Sequence, residues 1–516
     1  MNGMRIHNSV ATTLFLVFFF SFSYFYPGGG HNEAARYDTI RALINDGSFI
    51  VDKYAYNSAD LINVKGHYYS SKAPGTTFLG LPFFWATEKI LSLTPLTDPV
   101  RDHWVCYWTS VFAVALPCAF GLVVLFWLLL KFKASEREAA VITIAVGLGT
   151  IYFPFATIFF SHSATGALLI TGFYQIFSYR KEKWRLVVAG FALGFAIIFE
   201  FPAAIAAAFI GLYAIWRLRK EPRGIAILVV TGFVGLVPLF LQNWIAFGSP
   251  FILSYSAYAQ DSNQVFEAHK QGVLGIKIPL FNADDWRLFL NNMAEITYRP
   301  LRGIFIFNPV LLYLIPGFFW LGWKMIKRRQ EFALEMLVMM VITISYFAMN
   351  AGFGDSIVYW GGGASFGPRH IIPALPFMAP LLLEGWRKPR IQAAFVPALL
   401  VSIFFCIMAT SIEPRTPYAP NNAIFQYYLP KFLKSEFAIT TVGIFSEVKL
   451  TENSIAFNWG KLAGLPPSTQ LIPLLIFWVI AARNLDRLVG VKSHGFTYAA
   501  GIMAALLALI PIVAGL

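Results

Sequence analysis

The run VCYWTSVFAVALPCAFGLVVLFWLLLKFK, residues 105–133, decides the architecture. No charged residue interrupts it from Val105 to Leu130, and Lys131 and Lys133 close it. A helix needs about 20 apolar residues to cross a ~30 Å hydrocarbon core, so this run crosses a bilayer with residues to spare. Similar runs recur outward from it, near 9–26, 140–158, 163–179, 186–200, 203–216, 224–243, 302–323, 336–350, 371–386, 391–411, 470–482 and 497–515. The expectation is an all-α polytopic membrane protein of about 13 transmembrane helices. The first apolar run, Val10 to Tyr26, is followed by no small-x-small cleavage site and reads as a retained span.

Composition agrees. Of 516 residues, 57% are hydrophobic and only 13% charged, about half the ~25% usual in soluble proteins. That excludes a soluble enzyme, a disordered chain and a disulfide scaffold. Cys106, Cys118 and Cys406 all fall inside apolar stretches.

The net charge is +13. More than half of the Lys and Arg residues sit in seven short segments, such as Lys131–Lys133–Arg137, Arg180–Arg185 and Arg217–Arg223. These alternate with connections near 159–162 and 200–202 that carry none. The pattern is the positive-inside rule and places the N-terminus in the cytoplasm, with no nucleic-acid partner implied. The apolar stretch Thr76–Ala86 would invert every later loop if it spanned, so it reads as an interfacial or re-entrant piece. Four long segments then lie outside: 27–104, 244–301, 351–370 and 412–469. The expected division is a transmembrane module 1–411 that includes the first extracytoplasmic loop 27–104, an extracytoplasmic cap 412–469 rich in Pro, and terminal helices 470–516.

Four outer sites hold chemistry-bearing residues. Residues 33–45 have helical apolar spacing, with Glu33, Arg36 and Asp38 near the start and Gly47 as a stop; an amphipathic helix on the membrane surface is expected. Both acids also fit a plain helix-dipole role. His67, Tyr68 and Tyr69 lead to Lys72-Ala73-Pro74-Gly75, a rigid turn whose Lys is placed to meet a lipid phosphate or to anchor by snorkelling. His162 sits in the turn Ser161-His162-Ser163, with Glu200 in the next outer turn as a weaker case of the same kind. The glycine-rich stretch 359–370 ends in Arg369 and His370 and offers backbone N–H groups plus a guanidinium to an anion.

Taken together, these residues resemble the GT-C membrane glycosyltransferases, in particular the protein O-mannosyltransferase and lipid A aminoarabinose transferase branch. The resemblance rests on Asn32-Glu33 after the first span, on Gly47, on the turn Lys72-Ala73-Pro74, and on SFGPRHIIPALP at 365–376. It implies transfer of a sugar from a polyprenyl-phosphate donor to a glycan, lipid or protein acceptor, at the extracytoplasmic face of the plasma membrane. On that resemblance Glu33 or Asp38 is the base, while Lys72 and Arg369 contact the donor phosphate. Arg36, His67, Tyr68, Tyr69, His162 and His370 line the substrate site. Asn32 departs from the family's paired acids, and an amide takes no proton at neutral pH. His162 stands about where relatives carry a second acid, so a divalent metal ion is a possible further component. The rival reading is a multi-pass transporter or flippase, which would need polar residues deep within the spans.

Overall fold

The computed structural model describes residues 2–254, 283–327, 331–353, 357, 361–417, 420–440, 456–490 and 494–514. Tyr359 and Trp360, and parts of the segments 244–301 and 412–469, lie outside the described residues. The chain is a helical membrane bundle. Six helices are long and apolar enough to cross a membrane: Ile6–Ser23, Val100–Lys131, Pro222–Phe247, Pro309–Ile326, Ala333–Ala351 and Pro389–Ile412.

Other expected spans are shorter or broken, for identifiable reasons. The run at 371–386 begins as a 3₁₀ helix, Arg369–Met378, holding Pro373 and Pro376, and only then becomes the α-helix Ala379–Trp386. Proline removes a backbone donor and forces such breaks. The run at 140–158 splits into Glu136–Gly147 and Tyr152–Ala156.

Where helices touch, small residues let them approach. A Cβ on Gly194 would lie 2.0 Å from the Gly232 carbonyl oxygen, and one on Gly190 2.0 Å from Thr231 Oγ1. That close crossing joins Lys183–Phe199 to Pro222–Phe247, as small residues do between membrane helices. The opposite side of Pro222–Phe247 exposes Val230, Phe233 and Leu241, consistent with a lipid-facing surface.

The first loop folds against the bundle. It contains the helix His31–Asp46, a 3₁₀ turn Asp52–Asn57, the hairpin Leu61–Val64 with His67–Ser70, and the helix Gly75–Leu91. Gly47 takes φ 62° and caps the first of these, as expected. The expectation of a surface-lying amphipathic helix is corrected: Glu33, Arg36, Tyr37, Asp38 and Ile40 are all buried. Its charged side is covered by the turn Asp52–Asn57 and by Arg415 from beyond the last long span. The stretch Thr76–Ala86 lies within the unbroken helix Gly75–Leu91, which packs on His31–Asp46 and Asp98–Ser110. The short strand Phe25–Tyr26 pairs antiparallel with Phe457–Asn458, tying the late segment to the first loop.

Candidate active site

Three cations come from three distant parts of the chain. Arg36 follows Asn32 by one helical turn, and its Nη1 donates to the Asn32 carbonyl oxygen at 3.0 Å and also to Asn32 Oδ1. Its Nη2 reaches Ser161 Oγ at 3.5 Å. Lys72 lies just after the hairpin, where its N–H donates to Ser70 Oγ and its Nζ pairs with Asp60 Oδ1 at 2.9 Å. Arg369 opens the 3₁₀ helix, and its guanidinium lies 5.2 Å from the Phe160 ring centre. The Arg36 guanidinium lies 5.9 Å from the same ring, so one aromatic ring serves two cations. Gly362, at φ 71°, borders Arg369; a Cβ there would stand 2.8 Å from Arg369 Cγ.

The facing acid is Glu200, in the turn between the helices Lys183–Phe199 and Ala203–Arg217. Its Oε1 accepts from Ser161 Oγ at 3.0 Å and touches His162 Nδ1. The His162 ring meets His370 edge-on at 5.5 Å, and His370 in turn meets Phe353 at 5.2 Å. Asn32, Arg36, Lys72, His162, Glu200, Arg369 and His370 line one cavity of about 60 Å³, closed by the apolar Phe199, Phe201, Met349 and Phe353.

Burial dominates the protonation of these groups. It pushes the Glu200 carboxyl up to about 7, against the lowering pull of His370, the Ser161 hydroxyl, Arg36 and Arg369. Burial lowers Lys72 below the ordinary ammonium value, although Asp60 opposes it. Asp60 also resists ionisation through burial, yet Lys72, Arg369 and Arg36 together hold its carboxyl below the usual range. The cavity is therefore an anion-seeking pocket with one carboxyl poised near neutrality. Such a constellation suits binding a phosphate and moving a proton beside it.

Of the ten residues singled out from the sequence, the structure brings Arg36, Lys72, His162, Arg369 and His370 to this cavity. Glu33 and Asp38 are not among its lining residues. Glu33 pairs with Arg415 at 2.6 Å, and that guanidinium also bonds Glu413 and the Pro27 carbonyl oxygen. Asp38 accepts from Asn57 Nδ2 at 3.1 Å and lies 3.7 Å from Arg41. His67 pairs with Asp52 at 2.7 Å, Tyr68 is exposed and donates its N–H to Asp52, and the Tyr69 ring packs on Phe247. These contacts shape the loop. The sequence reading did not single out Asp60 or Arg415, since neither belongs to a spacing pattern, and it ranked Glu200 low.

Among the described residues no group of three or more His, Cys, Asp or Glu is arranged to hold a metal ion. A divalent cation beside His162 and Glu200 would also meet Arg36, Lys72 and Arg369, which line the same cavity. The residues present do not fit such an ion.

No protein-family model and no curated protein sequence matches the chain. Among solved structures it is similar to ArnT from Cupriavidus metallidurans bound to undecaprenyl phosphate. The identity is 15%, the match covers 99% of this chain and 77% of that one, and the TM-score is 0.50. It is also similar to the archaeal oligosaccharyltransferase AglB from Archaeoglobus fulgidus, in complex with an inhibitory peptide and a dolichol-phosphate. There the identity is 12%, the coverage 83% of this chain and 58% of that one, and the TM-score 0.46. The likeness to ArnT shows the fold: the chain has the GT-C architecture of polytopic membrane glycosyltransferases.

Proposed function

We propose that this GT-C-fold chain transfers a sugar from a polyprenyl-phosphate donor to the hydroxyl of a glycan, lipid or protein acceptor. By the charge distribution, the reaction takes place at the extracytoplasmic face of the plasma membrane. One observation carries the reading: Arg36, Lys72 and Arg369 meet around a small cavity that they share with Glu200. The relative solved with undecaprenyl phosphate supports the donor class through its fold. We take 1–411 as the catalytic module, with 412–469 as a cap bearing on acceptor choice and 470–516 as terminal helices.

In this reading the donor phosphate sits among the three cations. Glu200, ionised, takes the proton of the acceptor hydroxyl. The acceptor oxygen attacks the anomeric carbon as the bond from that carbon to the phosphate oxygen breaks, inverting the centre. Polyprenyl phosphate leaves with the bonding pair, and its growing charge is met by Lys72, Arg36 and Arg369. His162 holds Glu200 in place, and Asn32 orients Arg36 rather than moving a proton. We assign the base to Glu200 in place of Glu33 and Asp38, because each of those acids is committed to ionic or amide partners elsewhere.

The test uses the purified chain in detergent with radiolabelled polyprenyl-phosphate sugars and a panel of envelope acceptors. Labelled acceptor and free polyprenyl phosphate are expected in equal amounts, and both are lost in Glu200→Gln. Release of polyprenyl phosphate undiminished in that variant would remove Glu200 from the mechanism. Failure of the wild-type chain to bind any polyprenyl phosphate would overturn the donor class.

A further inference from the structure

A second site lies away from the catalytic cavity, between the first helix, Asn2–Ser23, and the late helix Ile472–Leu488. The two run antiparallel: Trp478 Nε1 donates to Ser21 Oγ at 2.8 Å, and Asn484 Nδ2 to Thr13 Oγ1 at 2.8 Å. Beside that second bond is a groove of about 440 Å³. Its apolar wall is Leu16, Phe477 and Ile480, and its polar end is Arg483, Asn484 and Arg487.

The two arginines are four residues apart on one helix face, and both are exposed. Like charges at that spacing repel. Among the described residues neither is paired with a carboxylate. The acid nearest in sequence, Asp486, is turned away and buried, accepting from the backbone N–H groups of Phe496 and Thr497. Both arginines sit toward the charged end of the late helix, where a lipid phosphate can reach them. Arg487 in the last turn is accounted for by the helix dipole, but Arg483 lies a full turn further in.

We propose that this groove binds one anionic phospholipid. Its phosphate bridges Arg483 and Arg487, and an acyl chain lies along Leu16, Phe477 and Ile480. The bidentate geometry of guanidinium suits a phosphate, and the groove places apolar surface directly beside it. The site joins the first helix to the late helix Ile472–Leu488, so its occupant clamps these two together. The inference requires nothing of the reading given to the catalytic cavity.

The test is native mass spectrometry of the delipidated full chain in detergent, titrated with phosphatidylglycerol or phosphatidylcholine. One phosphatidylglycerol is expected to be retained in preference to phosphatidylcholine. Arg483→Gln with Arg487→Gln removes the charge-assisted contacts and is expected to weaken retention about tenfold or more. Leu16→Trp fills the groove while leaving both charges, and is expected to weaken it as well. Lys72→Gln, in the other cavity, leaves it unchanged. Equal retention of the two lipids, undiminished retention in either groove variant, or loss in Lys72→Gln would each overturn the proposal. So would displacement of phosphatidylglycerol by millimolar inorganic phosphate or by equimolar polyprenyl phosphate.

Discussion

Replacing Lys72 by Gln gives the sharpest test of the catalytic reading. The Nζ of Lys72 is buried beside Asp60 and lines the cavity with Arg36 and Arg369. In the transfer step the phosphate passes from one negative charge toward two, so a fixed cation there stabilises the transition state more than the bound donor. Removing one such preorganised donor from a water-poor site costs about 3–4 kcal/mol, or about 10²- to 10³-fold in kcat. Arg36 and Arg369 remain, so activity falls without vanishing. At 16% and 32% exposure the Lys72 and Asp60 side chains form a largely buried pair, so Lys72→Gln also costs stability by taking the cation from Asp60. The assay is single-turnover transfer from a labelled donor, with thermal unfolding run in parallel. The double variant Asp60→Asn/Lys72→Gln checks that the loss is not caused by an acid stranded in the cavity. A kcat within threefold of wild type, in a folded Lys72→Gln protein that still binds donor, would refute the phosphate assignment.

Three further outcomes follow. Because Glu200 titrates near 7 and must be ionised to act, transfer should rise with pH across about 6 to 8; Glu200→Gln should lose that limb and about 10²- to 10⁴-fold in rate. The donor phosphodiester does not titrate in that range, so a limb surviving in Glu200→Gln would point to another base. Glu33→Ala removes one of the two carboxylates that pair the buried Arg415 and leaves it Glu413; stranding such a buried charge outright costs about 3–5 kcal/mol, so thermal unfolding should fall less in Glu33→Ala than in Glu33→Ala/Glu413→Ala. A Cβ on Gly75 would meet Phe199 Cδ2 at 2.3 Å and its backbone nitrogen at 2.6 Å; Gly75→Ala must part the start of the helix Gly75–Leu91 from the segment before Glu200, and about a hundredfold loss in kcat is expected from a misplacement of about 1 Å, together with a lowered unfolding temperature from about 1–3 kcal/mol of overpacking.

Fold class was legible in the sequence because a bilayer imposes length and polarity on each crossing, and residues 105–133 meet both demands. Charge alternation carries the proposed sidedness. The exact crossings were not legible, because Pro373 and Pro376 break a run that reads as continuous, and the glycines at 190, 194 and 232 set crossings that depend on a partner helix. The cations that line the cavity are conspicuous in the sequence. Lys72 lies in a turn and Arg369 at a span start, where a charged group outside the hydrocarbon stands out. The acids are harder to place for the opposite reason. Glu33 and Asp38 stood in the loop where the resemblance expected a base, but which buried acid faces a cavity and which faces Arg415 is a tertiary fact. Glu200, a single carboxylate between two apolar runs, had no neighbour in sequence to distinguish it. Its Ser161, His162 and His370 neighbours come from elsewhere in the chain.

The charge balance of the cavity also bears on order of events. With no donor in place, Asp60 stands against Lys72 and is felt by Arg369 and Arg36, much as a phosphate would be. Those same two arginines pull the Glu200 carboxyl down against its burial. A donor phosphate seated among them would cancel part of that pull, since an anion screens the cations from the acid. Glu200 would then bind its proton more tightly and become a stronger base only once the leaving group is positioned. The acidic limb of kcat, which reports the donor complex, should accordingly lie at higher pH than the limb of kcat/KM, which reports the free enzyme. Coincident limbs would mean that the phosphate and Glu200 do not sense one another, and would place the donor outside the cavity that Arg36, Lys72 and Arg369 enclose.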